Sequence, residues 1–321
     1  MMRFSRVLVT GGAGFIGHRL VRTLAARKIA TAVLDNLFVK MPMPEPSEFV
    51  CTFESDIRDI TAVDGIFAAF RPDAVVHLAA VHHIPTCERQ PHLAMDVNVV
   101  GTQALLDVAA KHGVRTFLLA SSAAVYDWWD GALVEDETPL RATDVYSTSK
   151  LANEYQLRTW SDRTGGSGAI ARIFNVIGHD DPNGHLIPDI LGQLDIANGG
   201  IRAPRVKLGN TRPQRDYTHA DDTSAGVLAI LESHDWDGAV QAYNVSFGQE
   251  HGVSELVGII GRHFGTEIEI LHDDSRVRRV DRLHLLGDQK KARRVLGWQA
   301  RIGIASALSD ILTRLVPPAG Q

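Results

Sequence analysis

Tyr146 and Lys150, in the run DVYSTSK (144–150), are the residues whose types and spacing most directly imply chemistry. On a helix, side chains four residues apart share a face. A free tyrosine titrates near ~10, so serving as a base near neutrality asks for roughly 4 kcal/mol of added preference for the phenolate. A lysine ammonium alongside supplies charge of the right sign. Such a pair takes a proton from an alcohol, which implies redox chemistry on that alcohol. Tyrosine and lysine four apart also occur on many helical surfaces, so the weight comes from what lies upstream.

Upstream, TGGAGFIG (10–17) follows an apolar run and opens a helical pattern. Gly12, Gly14 and Gly17 fit a dinucleotide fingerprint, and Gly11, Gly14 and Gly17 fit its three-spaced version, with Phe15 and Ile16 between the last two glycines. Glycines permit the tight turn and the approach of backbone to pyrophosphate. Helix N-terminal amides then stabilise the phosphates. Asp35, followed by Asn36, closes the next apolar run. A carboxylate there accepts from both ribose hydroxyls and repels a 2′-phosphate, which favours NAD over NADP. A turn or cap aspartate is the plainer alternative. Asp56 and Ile57 could pair with and pack on adenine, and a surface turn explains them nearly as well.

These residues need a frame. Val7–Thr10, Thr31–Asp35, Ala74–Ala79 and Thr116–Ala120 read as strands buried on both faces, with Ala169–Ile173 as another. Helical patterns at 15–27, 61–70, 92–112 and 144–164 lie between them. This alternation predicts an α/β fold, a doubly wound parallel sheet with right-handed crossovers. After residue 175 the pattern degrades into loops at Pro182–Gly184, Pro188 and Gly199–Gly200. A helix at 224–232, a strand at 242–245, a helix at 253–264 and a strand at 267–271 follow.

The chain has 321 residues, 45% hydrophobic and 22% charged, with a formal charge of −5, the composition of a globular protein. That charge gives no general attraction to nucleic acid or anionic membrane. Two cysteines, Cys51 and Cys87, cannot build a disulfide framework and point to a reducing compartment. No uninterrupted apolar run reaches the ~20 residues of a membrane span, and a strand pattern begins almost at the N-terminus. The expectation is a cytoplasmic protein.

Together TGGAGFIG, LDN (34–36), SDIRD (55–59), HLAA (77–80), SSAAVY (121–126), YSTSK (146–150), RIFN (172–175), RDYTHADD (215–222) and KARRVLGW (291–298) resemble the extended short-chain dehydrogenase/reductases. More narrowly, they resemble the NAD-dependent nucleotide-sugar epimerase/dehydratase group. The resemblance implies a Rossmann domain over 1–175, with 217–247 returning to it. It also implies a smaller C-terminal α/β domain, from 176–216 and 248–321, that binds the nucleotide sugar. By motif position, Ser122 and Tyr146 contact the reacting hydroxyl and Lys150 holds the nicotinamide ribose. Leu78, Ala79, Ala80, His82, Asn98, Ala120 and Phe174 would complete the NAD site. Asn175, Arg215, Arg278 and Asp281 match substrate-diphosphate positions, though Arg279 and Val280 replace the usual proline and glycine of the last motif. His83, His185 and Leu186 fall on the substrate side. Val206 and Leu208 could flank the base, and core packing accounts for them equally. For Arg215 the alternative is a surface ion pair with Asp216 or Asp221. Family members commonly dimerise through the helices at 92–112 and 144–164, so a homodimer is expected.

Within this group the residues after the reacting serine report the chemistry. Sugar 4,6-dehydratases resembling this chain usually place an acidic group there. Here Ala123 and Ala124 cannot move protons, which favours a 4-epimerase. LGN (208–210) is reminiscent of GDP- and CDP-sugar dehydratases and leaves the nucleotide open. His82 and His83 are unusual and could add an acid or base near neutral pH, suiting C3 or C5 epimerisation. Satisfied or exposed histidines are the blander alternative, and no third ligand suggests a metal. Trp128 and Trp129 could cap the sugar pocket or pack at an interface. The expected reaction is C4 inversion of a nucleotide-diphosphate sugar on NAD. A dehydratase, a 3,5-epimerase or a reductase is the rival enzyme, and a non-catalytic dinucleotide sensor the rival of another class.

Overall fold

The structure is a computed structural model describing residues 4–197, 200–233, 236, 238–277 and 282–315. Seven parallel strands form the main sheet: β1 (Arg6–Thr10), β2 (Ala30–Asp35), β3 (Val50–Glu54), β4 (Ala74–His77), β5 (Thr116–Ser122), β6 (Ser167–Ile173) and β7 (Val240–Val245). Their order is β7-β6-β5-β4-β1-β2-β3. This is the α/β doubly wound sheet expected from the alternating pattern. The order reverses between β1 and β4, where open parallel sheets bind ligands beyond the strand C-termini.

The inner strands are buried on both faces, which is why they read as continuous apolar runs. One apolar layer joins Leu20, Leu24, Val227, Leu231 and Trp298 to the sheet. The other joins Phe67, Leu105, Leu106, Phe117, Leu157 and Trp160. Both expected strand ends and helix limits shift by a few residues. Ala74–Ala79 stops pairing at His77, and the 224–232 helix starts earlier, at Ala220.

The helical pattern at 92–112 is two α-helical pieces, Pro91–Met95 and Thr102–Lys111, joined by a wider π-turn over Asp96–Gly101. The turn frees the Asn98 carbonyl, which accepts from Thr102 Oγ1 at 2.5 Å and from Asn153 Nδ2 at 2.7 Å. Among the described residues, Pro91–Lys111 is the one helix long and apolar enough to cross a membrane, and 56% of its apolar window is buried in this fold. It serves as a core helix.

A smaller mixed sheet lies beyond the C-terminal ends of the main strands. Gln214–His219 is its spine, pairing antiparallel with Glu250–Gly252 and parallel with His284–Gly287, which in turn pairs with Ala132–Leu133. Asn175–Ile177 pairs with the far half of the spine. The expected strand at 267–271 is Glu269–His272, parallel to Arg205–Leu208.

Candidate active site

Between the two sheets lies a cleft of about 1480 Å³. A site for one small ligand commonly occupies roughly 300–1,000 Å³, so this space accommodates more than one. Its first wall is the turn after β1. Gly11 sits at φ +70°, and a Cβ there would lie 2.6 Å from Ala79 N. A Cβ on Gly17 would lie 2.1 Å from Gly11 O, so helix and turn meet backbone to backbone. Arg19, almost fully buried, locks this corner. It donates to Phe15 O at 2.7 Å and to Asp221 and Asp180 at 2.7 and 2.6 Å.

Asp35 stands beside the glycine turn at the end of β2. Its carboxylate accepts from Ala13 N at 3.0 Å and Leu37 N at 2.8 Å. Burial raises its pKa, opposed by those backbone bonds. Each oxygen keeps a lone pair for a hydroxyl, and a second anion nearby would be repelled. A glycine cradle too tight for a Cβ, an acceptor at the end of β2 and a long cleft all fit a dinucleotide.

Ser122 ends β5, and Tyr146 lies in the first turn of helix Val145–Thr164. That helix begins with a capping box: Asp144 accepts from Ser147 N at 2.7 Å while Ser147 Oγ accepts from Asp144 N at 3.1 Å. The cap fixes the register that puts Tyr146 and Lys150 on one face. Lys150, 3% exposed, donates from Nζ to Ala120 O at 2.9 Å and lies 5.9 Å from the Tyr146 ring centroid.

The titration behaviour differs from expectation. Burial raises the Tyr146 pKa, opposed by a hydrogen bond with the Ser122 side chain. Burial lowers Lys150 to about 8. Sequence spacing suggested a phenol made acidic by the ammonium. In the folded chain the desolvation of the buried ring is the largest effect on it.

The site's rigidity comes from a buried network absent from the sequence reading. Ser121 Oγ donates to Glu154 Oε1 at 2.6 Å, and Glu154 pairs with Arg172 through bonds of 3.0 and 2.8 Å. Arg172 also donates to Glu135 O at 2.9 Å. Both members of the ion pair are 2% exposed. Arg172 stands in the RIFN run, but nothing in its spacing pointed to Glu154.

The cleft gathers most of the expected residues. Gly11, Gly14, Phe15, Ile16, Gly17, Asp35, Asn36, Ile57, Leu78, Ala79, Ala80, His82, Ala120, Ser122, Tyr146, Lys150 and Phe174 all line it. So do His83, Asn175, His185, Leu186, Leu208 and Arg215. Three do not. The Asn98 amide is buried, accepting from Val81 N at 2.7 Å and donating to Ser149 Oγ at 2.9 Å, so it holds the wall from behind. Asp56 is taken by Arg58 and Asn36 at 2.8 and 2.9 Å, and it forms a surface turn. Val206 is 1% exposed in an apolar cluster with Ile190 and Ile260, so core packing explains it. Arg278 and Asp281 lie outside the described residues.

Arg282 was missed. No spacing in the sequence distinguished it. It lines the cleft and donates to Tyr126 O, and its buried Nη1 has no hydrogen-bond partner among the described residues. Burial and the charge of Arg215 together lower its pKa to about 10. Asp216 accepts from Phe247 N and Gly248 N at 2.7 and 2.8 Å. Asp221 belongs to Arg19. Two guanidiniums facing one cleft suit a multiply charged anion.

After Ser122, the buried Ala123 and then Ala124 both line the cleft, as does the half-exposed Trp128, whereas Trp129 does not. The described residues contain no grouping of three or more His, Cys, Asp or Glu able to hold a metal.

A parallel sheet with a glycine turn at its switch point, and a Ser–Tyr–Lys set beside it, define a dinucleotide-binding α/β protein. Residues 7–246 match the NAD dependent epimerase/dehydratase family, and the chain belongs to that family. NAD is its cofactor. The chain is 30% identical over 315 residues to the GDP-6-deoxy-D-mannose reductase of Pseudomonas aeruginosa, covering 96% of each. It is also 30% identical over 327 residues to the UDP-glucose 4-epimerase of Bacillus subtilis, covering 95% of each. The structure of Thermus thermophilus UDP-glucose 4-epimerase in complex with NAD superposes with a TM-score of 0.82 at 26% identity, covering 98% of this chain and 100% of the other.

Proposed function

We propose that the protein inverts C4 of a nucleotide-diphosphate sugar through a transient 4-ketone. The observation carrying this reading is the convergence of Ser122 and Tyr146 on a cleft where the next two side chains, Ala123 and Ala124, are methyl groups. The Gly11–Gly17 turn, Asp35 and Lys150 would hold NAD, which when bound would accept and return hydride at the sugar carbon.

The chain's own work is proton transfer and positioning. Tyr146 takes the C4 hydroxyl proton, and Ser122 holds that oxygen. For this the phenol must ionise; burial opposes ionisation, while Ser122 and any positive charge beside the ring favour it. Lys150 Nζ, 5.9 Å from the ring centroid, brings a charge of that sign. Arg215 and Arg282 hold the diphosphate while the ketone turns within the cleft, and the size of the cleft supports that turn. Returning the proton from Tyr146 completes inversion with no net consumption of cofactor.

A reductase is the second reading, favoured by the Pseudomonas relative's own activity. Incubation with UDP-, GDP-, CDP- and dTDP-sugars, followed by NMR, separates the two. The proposal expects a C4-epimer mixture with constant nicotinamide absorbance. Stoichiometric loss of NADH with formation of a reduced sugar contradicts it.

Val100 and Tyr155, 58% and 62% exposed, lie on the two helices read as a dimer surface and support a homodimer.

A further inference from the structure

Three imidazoles meet in the cleft although no spacing in the sequence joins them. His82 and His83 follow the wall after β4, whereas His185 comes from the loop before helix Leu186–Gln193. The His82 and His185 ring centroids are 5.9 Å apart, and those of His83 and His185 are 5.8 Å apart. His185 Nδ1 lies 2.8 Å from Asp181 Oδ2, and the Asp181 side chain is only 4% exposed. A carboxylate on Nδ1 fixes the tautomer and leaves Nε2 as the proton acceptor, a base with its orienting partner. His83 Nδ1 is likewise engaged, by Thr86 Oγ1 at 2.9 Å. All three histidines line the same cleft as Ser122 and Tyr146, and burial lowers the His82 pKa to about 4, so that ring stays neutral. C4 inversion by hydride return needs a single acid–base group, and Tyr146 is that group. The histidines have no task in it.

We infer that His185, oriented by Asp181 and packed beside His82 and His83, is a second proton-transfer centre that acts on the carbon next to the 4-ketone, exchanging the proton of C3 or C5. The inference rests on the C4 reading, because only the ketone makes the neighbouring C–H acidic. In the step, the C–H bond breaks and its proton passes to His185 Nε2. The electron pair becomes the C=C bond of an enol, and the ketone oxygen takes the Tyr146 phenol proton. After exchange with solvent, His185 Nε2 returns a proton to the carbon, the enol proton goes back to Tyr146, and the ketone re-forms. Nothing is oxidised or reduced, and no co-reactant is required.

The test is ¹H NMR of the NAD-loaded protein with UDP-, GDP-, CDP- and dTDP-hexoses in D₂O. Deuterium at C3 or C5 of the recovered sugar is expected alongside C4 conversion. His185→Gln should lower the ratio of deuterium uptake to C4 conversion by about 10²-fold, the cost of losing a general base. Asp181→Asn should lower the same ratio less, because the base remains but loses its orientation. C4 conversion with no deuterium at either carbon overturns the second centre and leaves the C4 reading standing. Absence of both conversion and uptake overturns both. An unchanged ratio in His185→Gln, with KM raised, makes His185 a binding residue only and also overturns the inference.

Discussion

Lys150 Nζ donates to the Ala120 carbonyl at 2.9 Å, so the ammonium hangs from the strand that carries Ser122 rather than from the phenol one helical turn away. This bond joins helix to sheet beneath the reacting groups. It also buries a positive charge whose cost is measurable.

Replacing Lys150 by Met removes that charge. The folded chain holds the lysine proton more weakly than the unfolded chain, with a pKa of about 8 against 10.5. The unfolded state therefore binds more protons between those values, so this group's contribution to stability rises with pH through that window and the penalty is full below pH 8. At ~1.36 kcal/mol per pKa unit the penalty is about 3 kcal/mol, and the lost hydrogen bond offsets about 1 kcal/mol of the gain. Lys150→Met should raise cofactor-free stability at pH 7 by about 2 kcal/mol in urea unfolding while cutting turnover at least ~10²-fold. A lower urea midpoint contradicts this.

Gly11→Ala places a methyl group against Ala79 N and Leu78 C, at 2.6 and 2.8 Å, in a left-handed backbone position. Stability should fall by about 2–4 kcal/mol and NAD affinity by at least about tenfold, measured by thermal melts and fluorescence titration. Gly65→Ala, in helix Ile60–Phe70 with nothing within 4 Å of the new methyl, should instead stabilise by about 0.5–1 kcal/mol.

Asp35→Asn removes the anion facing the ribose end of the cleft but keeps a carbonyl acceptor for Ala13 N or Leu37 N. The ratio of NAD to NADP affinity should fall at least about tenfold, because the 2′-phosphate is no longer repelled. An unchanged ratio would show that Asp35 is only a turn residue.

Glu154→Leu strands the Arg172 guanidinium in the interior and should cost about 3–5 kcal/mol by urea unfolding. Adding Arg172→Met should recover most of that loss, since the buried charge is then gone. A double variant no more stable than the single one would mean that the network's other bonds matter more than the pair.

The main sheet was legible because β1, β2, β4, β5 and β6 are buried on both faces and punctuated by glycine or aspartate. The smaller sheet was not. Its strands carry sequences such as QRDYTH, EHG and HLLG, polar and short, and they pair segments far apart in the chain. The pairing of Tyr146 with Lys150 followed from local spacing, because a capped helix fixes its own register, whereas Ser122, at a strand end, followed from the family resemblance. The phenol's titration did not follow, since burial is a tertiary property. Nor did the meeting of His185 with His82, or the approach of Arg282 to Arg215, because each depends on where the second sheet folds back.

The most direct measurement is turnover of a nucleotide sugar by wild type and Tyr146→Phe, each checked for NAD binding. Loss of the phenol should lower kcat by about 10²–10⁴-fold with NAD affinity nearly unchanged. Full turnover by Tyr146→Phe would contradict the assignment of the proton transfer to this residue.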